Sequence, residues 1–98
     1  MIMAPKGPFV ERVMLTGLQI RAARSGLRWS VIDLAERSGV AVRTIKRLEP
    51  VDGVPPSRTS TLMDIQRAFE AAGIEFIGSP EDGPGIRIRP PGAANPSV

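Results

Sequence analysis

The sequence predicts a mainly α-helical fold, with four helices followed by a C-terminal β-hairpin. Between Thr16 and Gly73, apolar residues recur at intervals of three and four, which is the spacing of helices that bury one face. From Ile74 onward the pattern changes to alternation in two short runs, which a Gly/Pro-rich connection separates. We therefore expect a helical domain over residues 14–73 and a hairpin over residues 74–89.

The segments at the two ends are predicted to be tails. Residues 1–13 contain Pro5, Gly7 and Pro8, and we expect them to form a flexible N-terminal tail. Residues 90–98 consist of Pro, Gly, Ala, Asn, Ser and Val, a composition that cannot bury a core, and we expect them to be disordered.

The first helix is predicted to begin after Thr16. Thr16 and Gln19 have the spacing of a capping box, in which the side chain of each residue bonds the backbone N–H of the other. We expect this helix to run to about Ser25 and to stop at Gly26. The residues expected on its core-facing side are Ile20, Ala23, Arg24 and Leu27.

Two short helices are predicted between Ser30 and Glu49, with a glycine turn between them. Ser30 stands where an N-cap is expected, and Gly39 follows the first helix, where a left-handed backbone is favourable for a residue without Cβ. The second helix is expected from about Val42 to Leu48, because the residue before Pro50 disfavours helical geometry. The side chains available for burial are Ile32, Leu34, Ala35, Val40, Ile45 and Leu48.

The second of these helices has a basic outer face. If Ile45 and Leu48 point inward, the side chains that point outward are Val42, Arg43, Lys46 and Arg47. Two short helices around a glycine corner, with a basic face on the second, are the plan of a DNA-binding helix-turn-helix.

The fourth helix is expected over roughly Thr61 to Ala72, with capping side chains offered between Ser57 and Ser60 and closure at Gly73. Its predicted buried stripe is Leu62, Ile65, Ala68 and Phe69.

The hairpin strands are predicted over residues 74–77 and 86–89, joined by residues 78–85. The apolar residues of one face are Ile74 and Phe76 on the first strand, opposite Ile86 and Ile88 on the second. On the other face, Glu75 is expected to pair with Arg87 or Arg89.

Positive charge is concentrated in the half of the chain that contains the two short helices. Residues 1–58 carry ten Lys/Arg and five Asp/Glu, whereas residues 59–98 carry three and five. A basic surface on the motif is what a phosphate-facing domain requires.

Composition argues against catalysis, metal binding and membrane insertion. The chain has no cysteine, no histidine and no tyrosine, so it lacks the commonest general base and the usual transition-metal ligands. We expect no enzyme activity and no cofactor. No apolar run approaches the ~20 residues that span a bilayer, and residues 1–8 lack the apolar core of a secretory signal. A soluble cytoplasmic protein is expected.

Residues from Thr16 to about Gly73 resemble the helix-turn-helix domain of the XRE class of bacterial regulators, which includes the lambda-type phage repressor and Cro proteins. The resemblance covers a little over half of the chain. It implies a four-helix repressor-type fold and a nucleoid-associated, sequence-specific transcriptional regulator whose partner is double-stranded DNA. The matching residues are Arg24, Leu27, Ser30, Leu34-Ala35, Gly39-Val40, Thr44-Ile45 and Leu48-Glu49.

The resemblance also implies that the second helix of the motif contacts bases. Family members read bases from the positions of Val42, Arg43, Thr44 and Arg47. An arginine can bind O6 and N7 of a guanine, so Arg43 and Arg47 are the expected guanine contacts, and Val42 can contact a thymine methyl. Lys46 is better placed for a phosphate.

Further phosphate contacts are expected outside this helix. The preceding helix begins at Ser30 and Val31, and its free amides and positive dipole end can bind a phosphate, with the Ser30 hydroxyl helping to position them. Arg58 lies in a region that meets the DNA backbone or the minor groove in relatives. The chain departs from the family at Val31, where glutamine is common, and at Ala41, where a serine or threonine usually caps the helix.

Two other positions are expected to be structural. Relatives have a partly buried ion pair at the positions of Arg24 and Glu49, which would set the angle of the second motif helix. Trp29 is expected to pack where the first two helices meet, with base stacking as the lesser alternative.

The sequence leaves two alternatives open for the role of the hairpin and two for the function of the protein. A dimer on an inverted repeat is expected, because one such domain contacts few bases. The hairpin is either the dimer interface or only a cover for the core, and the interface residues would be Ile74, Phe76, Ile86 and Ile88. The favoured function is an autoregulatory repressor. The alternative is an antitoxin or anti-activator that uses the same scaffold to bind a protein.

Overall fold

The computed structural model describes residues 14–89, so both predicted tails lie outside the described residues. It contains four helices and one two-stranded antiparallel sheet after them, which confirms the predicted fold class. The elements are α1 (Gly17–Leu27), α2 (Val31–Ser38), α3 (Val42–Leu48), α4 (Thr59–Ala71), β1 (Ile74–Ile77) and β2 (Gly85–Ile88).

One apolar core joins the four helices and the hairpin. Phe69 of α4 is fully buried, its ring stacked on Trp29 at 5.5 Å between centroids and meeting Phe76 of β1 edge-on at 5.9 Å. Helix α4 therefore connects the packing of the helical motif with that of the hairpin. The buried apolar residues are Leu15, Ile20, Ala23, Leu34, Val40, Ile45, Leu48, Leu62, Ile65, Phe69 and Ile74.

Helix α1 begins as predicted but ends two residues later than expected. The Thr16 hydroxyl accepts from the Gln19 N–H, and the Gln19 side chain accepts from the Thr16 N–H, each at 3.0 Å. Arg28, not Gly26, adopts the left-handed conformation that ends the helix, with φ of 60°. The prediction that Gly26 stops the helix is wrong because this glycine serves packing: a Cβ there would lie 2.6 Å from Cδ1 of Ile88.

Helices α2 and α3 form the predicted pair around Gly39, whose φ is 78°. Helix α3 has the expected bounds, buries Ile45 and Leu48, and lacks a side-chain cap at Ala41, as its sequence indicates. The expected burial of Ile32 is wrong, since its side chain is 60% exposed. Residues two apart on a helix lie on nearly opposite sides, and Leu34 is the residue that faces the core.

Helix α4 starts two residues before the predicted position and has no side-chain cap. Arg58 occupies the N-cap position, so the capping role expected between Ser57 and Ser60 is not used. Its buried stripe is otherwise as predicted, with Ala68 partly buried. After the helix, Gly73 takes φ of 98°, which turns the chain into β1.

The hairpin has the predicted facing residues. Ile74 pairs with Ile88, and Phe76 pairs with Ile86. On the outer face, Glu75 accepts hydrogen bonds from both arginines of the second strand segment, so the expected pairing forms with each of them. The distances are 3.0 Å from Arg87 and 2.8 Å from Arg89.

The apolar face of the hairpin packs on the helices of its own chain. Ile74 is buried, and Phe76 and Ile86 pack against the core. These three side chains of the predicted dimer interface are therefore not available to a partner in this structure, and the hairpin does cover the core. Among the four, Ile88 alone has a largely open side chain, 47% exposed. Between residues 14 and 89, every helix is too short or too polar to span a bilayer.

Candidate nucleic-acid interface

The outer face of α3 presents three cationic side chains. Arg43, Lys46 and Arg47 are exposed, whereas Val42 and Thr44 are half-buried at the edges of this face. The arrangement follows from the helical period, because Ile45 and Leu48 occupy the buried side. The structure thus places the predicted base-reading residues on one helix surface, with Val42 and Thr44 less accessible than the basic residues.

These three side chains lack ionic partners among the described residues. Residues 14–89 contain eleven Lys/Arg, of which Arg21, Arg24, Arg67, Arg87 and Arg89 form ion pairs. The paired arginines lie on α1, on α4 and at β2. Helix α3 itself contains no acidic residue. The positive charge of its outer face is therefore open to an external anion.

Arg47 makes one hydrogen bond within the chain. Its Nη1 donates to the carbonyl oxygen of Pro56 at 3.0 Å, which ties the side chain to the loop between α3 and α4. A guanidinium has five N–H donors, so this bond leaves donors for a further ligand. The preceding Pro55 is buried and holds the loop against the domain. Arg47 is thereby positioned beside α3, while Arg43 and Lys46 have no such tie in the described chain.

The C-terminal end of α3 is held by the predicted ion pair. Arg24 of α1 donates from Nε and Nη2 to the two carboxylate oxygens of Glu49, at 2.7 and 2.9 Å. Its Nη1 also donates to the Trp29 carbonyl at 3.0 Å. The Glu49 side chain is only 8% exposed. The hydrogen bond to Glu49 raises the pKa of Arg24 above its ordinary value, and the bidentate geometry fixes α3 relative to α1.

Two residues that the sequence analysis missed hold the same end of α3. Arg21 donates to the main-chain carbonyl of Glu49 and pairs with Asp52 at 2.9 Å. Gly17 lies so close to this turn that a Cβ would come within 2.0 Å of the Val51 carbonyl oxygen. Gly17, Arg21 and Arg24 are spaced i, i+4 and i+7, so they share one face of α1. This spacing, with a glycine in the first turn of a helix, is the sequence signal that points to a close contact of α1 at Gly17 and Arg21.

The start of α2 is exposed but already carries a negative charge. The Ser30 hydroxyl accepts from the Asp33 N–H at 3.0 Å, and the Asp33 carboxylate accepts from the Ser30 N–H at 2.8 Å. The hydrogen bond from the Ser30 backbone is the largest cause that lowers the pKa of Asp33. Since these two amides are occupied, the phosphate predicted at Ser30 and Val31 would meet a helix start with fewer free donors.

Arg58 and Trp29, the two remaining residues of the prediction, lie in different surroundings. Arg58 is exposed at the start of α4 and has no ion pair among residues 14–89. Trp29 packs at the junction of α1 and α2 as expected, with its ring stacked on Phe69 and with the Arg37 guanidinium 4.6 Å from its ring centroid. Both contacts use the Trp29 ring within the domain, which supports its packing role.

A cavity of about 170 Å³ is lined by Met14, Leu15, Gln19, Gln66, Phe76 and Gly78. Among the lining residues, the side-chain amide of Gln19 already donates to the Gly85 carbonyl at 2.9 Å. Residues 14–89 hold no cluster of three or more acidic side chains that could bind a metal ion.

Comparison with known proteins adds no assignment. No family model matches the chain, and no curated protein matches it. The functional argument therefore rests on the geometry of α2, α3 and the residues that position them.

Proposed function

We propose that this protein is a sequence-specific DNA-binding transcriptional regulator that inserts α3 into the major groove. The observation that carries the proposal is the outer face of α3, where Arg43, Lys46 and Arg47 are exposed and lack ionic partners among the described residues. Exposed like charges four residues apart on a helix destabilise it slightly, so an anionic partner is the natural source of compensation. The resemblance to XRE-class regulators supports the same interpretation.

The proposed contacts follow from the position of each side chain. Arg43 and Arg47 would bind guanine edges, Val42 and Thr44 would contact bases at the margin of the helix, and Lys46 would bind a phosphate. Arg58 would add a second phosphate contact beside the loop.

A phosphate contact at Ser30 and Val31 is opposed by a neighbouring negative charge. Their helix start carries the Asp33 carboxylate, which repels a phosphate. The amide of Val31 would then be the main donor there.

The rigid connection of α3 to α1 supports recognition of specific sequences. A recognition helix reads bases only if its angle is constant, and the Arg24–Glu49 pair holds that angle together with Arg21 and Gly17. We further propose that the protein acts as a dimer on an inverted repeat in the bacterial cytoplasm, as a repressor of its own gene.

Selection of binding sites from random duplex DNA tests this function. The expected result is an enriched site with two-fold symmetry and half-sites about 10 bp apart. The double variant Arg43→Ala/Lys46→Ala should lose the enrichment, whereas the control Arg67→Ala, which removes an exposed arginine of α4, should retain it. If no sequence is enriched by the unchanged protein, or if the control loses enrichment as fully as the α3 variant, the proposal is wrong. In the first case, the antitoxin or anti-activator interpretation becomes the better one.

A further inference from the structure

The hairpin has an open edge on β2. The Arg89 N–H donates to the Gly73 carbonyl at 2.9 Å, and these two residues stand opposite each other in the pairing register. Hydrogen-bonded pairs alternate along an antiparallel ladder, so the next bonded residue on this strand is Arg87. The N–H and C=O groups of Ile86 and Ile88 therefore point away from β1. Within residues 14–89, no other backbone or side-chain group bonds them.

The α1 surface beside this edge carries an uncharged stripe. Strand β2 lies along α1, where Gln19 donates to the Gly85 carbonyl and Gly26 contacts the Ile88 side chain. Next to this contact, α1 turns an exposed stripe to the surface at spacings of four and three residues. Its members are Leu18, which is 43% exposed, Ala22 and Ser25. A strand added to β2 would cover this stripe together with the open side of Ile88.

We propose that the strand added at this edge is β2 of a second copy of the chain, running antiparallel about a two-fold axis. The inference deepens the proposed function, because the dimer proposed for an inverted repeat needs such an interface. Outward-pointing residues must stand opposite one another for strands to bond. In the proposed register, Ile86 faces the partner's Ile88, Ile88 faces the partner's Ile86, and four main-chain hydrogen bonds form.

The sequence excludes the neighbouring two-fold registers. If the axis passed through Ile86, Ile88 would stand opposite the partner's Pro84. If it passed through Ile88, Ile86 would stand opposite the partner's Pro90. Proline has no N–H, so each alternative leaves bonded positions without a donor. The register with the axis at Arg87 is the one in which both outward residues find a complete partner.

The charges at the ends of the strands fit the same arrangement. Glu81 and Asp82 are exposed at the hairpin tip and form no ion pair within the described chain, and the same is true of Arg28 at the end of α1. Because β2 runs in the same direction as α1, an antiparallel partner brings its acidic tip toward the end that carries Arg28 and Arg89. Each chain then receives two acidic side chains near Arg28, which forms no ion pair within the described chain, and near Arg89, which already shares Glu75.

At the axis itself, Arg87 faces the partner's Arg87. Each Arg87 is bonded to Glu75 of its own chain at 3.0 Å, so each brings its counter-charge to the contact. Directly opposite residues of a non-hydrogen-bonded pair lie about 4.5 Å apart at Cα. This separation makes position 87 a reporter of the register.

A cysteine cross-link tests the interface, since the chain has no cysteine of its own. R87C should form a disulfide-linked dimer under mild oxidation, because two Cα atoms about 4.4–6.8 Å apart can be bridged. The matched control is R89C, one residue beyond β2 and on the same face as Arg87, which also removes one partner of Glu75. Two copies of residue 89 would be separated by four strand residues, about 13 Å, which is too far for a disulfide. Fast linkage of R87C and not of R89C is the expected result, and equal linkage of both, or of neither, would overturn the register.

Amide exchange of the unchanged protein provides a test that no substitution can disturb. The Ile86 and Ile88 amides should become slower to exchange as the protein concentration rises, whereas the Glu81 amide at the tip should not. Exchange of the two isoleucine amides that is independent of concentration would overturn the interface. Neither measurement contains DNA, so a protein that fails both and still selects a symmetric site overturns this inference alone. A cross-linked dimer without DNA affinity overturns the proposed function alone.

Discussion

The basic side chains of α3 and those at β2 both reach the surface, but only the second set is neutralised. Arg87 and Arg89 share the Glu75 carboxylate, at 3.0 and 2.8 Å. Arg43 and Lys46 on α3 have no acidic side chain within ion-pair distance in residues 14–89. The difference is not one of composition, since both regions combine apolar and basic residues. The difference is whether the fold places an acidic side chain within ion-pair distance of the basic one.

The basic side chains of this protein therefore form two sets, cations that support the structure and cations that are available for binding. A neutralised arginine fixes two elements of the chain, as Arg24 does for α1 and α3 and Arg89 does for the two strands. An unneutralised one adds charge repulsion to the folded state, which is compensated when an anion binds. Substitutions in the two sets should therefore affect different measurements, stability for the first and DNA affinity for the second.

The largest expected effect is that of salt on DNA binding. If α3, Arg58 and the second copy supply several phosphate contacts, specific affinity should fall by ~10³ or more between ~50 and ~200 mM salt. Titration by fluorescence anisotropy measures this slope. The stability of the hairpin should show no comparable dependence, because its ion pairs are few and local. A salt-insensitive complex would remove the distinction between the two sets.

Removal of a neutralised cation should reduce stability first. Arg24→Ala leaves the Glu49 carboxylate, 8% exposed, without its partner and should lower the free energy of unfolding by about 3 kcal/mol. Urea denaturation followed by Trp29 fluorescence measures the loss. Arg43→Ala is the control and should leave stability unchanged.

The double variant Arg24→Ala/Glu49→Ala should recover part of that loss, because no unpaired carboxylate is left behind. If the two substitutions are additive in the mutant cycle, the pair does not stabilise the protein.

Single substitutions on α3 should reduce affinity without reducing stability. Arg43→Ala and Arg47→Ala should each cost ~1–3 kcal/mol of specific binding and relax the base preference at one position. Lys46→Ala should weaken binding to all sequences alike, as loss of a phosphate contact does. Competition with random DNA distinguishes the two cases. Uniform loss on every sequence for both arginine variants would contradict their role in base reading.

The smallest effect is expected in the dependence of stability on pH. The hydrogen bonds from Arg87 and then Arg89 lower the pKa of Glu75, and that from Ser30 lowers the pKa of Asp33. A carboxyl group with a lowered pKa in the folded state stabilises fully above its ordinary value, near pH 4, and loses this contribution as pH falls through the folded value. Stability should therefore decline below about pH 4. Glu75→Gln should make the decline shallower, and Arg43→Ala should leave it unchanged. If stability declines identically at low pH in Glu75→Gln, the shared carboxylate contributes nothing to this pH dependence.

Most of the local structure could be predicted because local rules decide it. The Thr16/Gln19 capping box, the turn at Gly39 and the bounds of α3 depend on residues a few positions apart. The facing residues of the hairpin follow from alternation and turn length in the same way. The end of α1 was misjudged because Gly26 is a glycine for a contact with Ile88, 62 positions away, and not for a turn.

The sequence by itself determined the helices, the hairpin and the cationic character of α3, since these depend on residue type and short-range period. Only the tertiary structure decided which cations are neutralised, because Arg24 meets Glu49 across 25 positions and Arg21 meets Asp52 across 31. It also decided that Arg47 is tied to the Pro56 carbonyl, that Ile32 faces outward and that the hairpin packs on its own helices. The physical reason is that charge pairing and burial depend on distances between elements, which composition and periodicity do not contain.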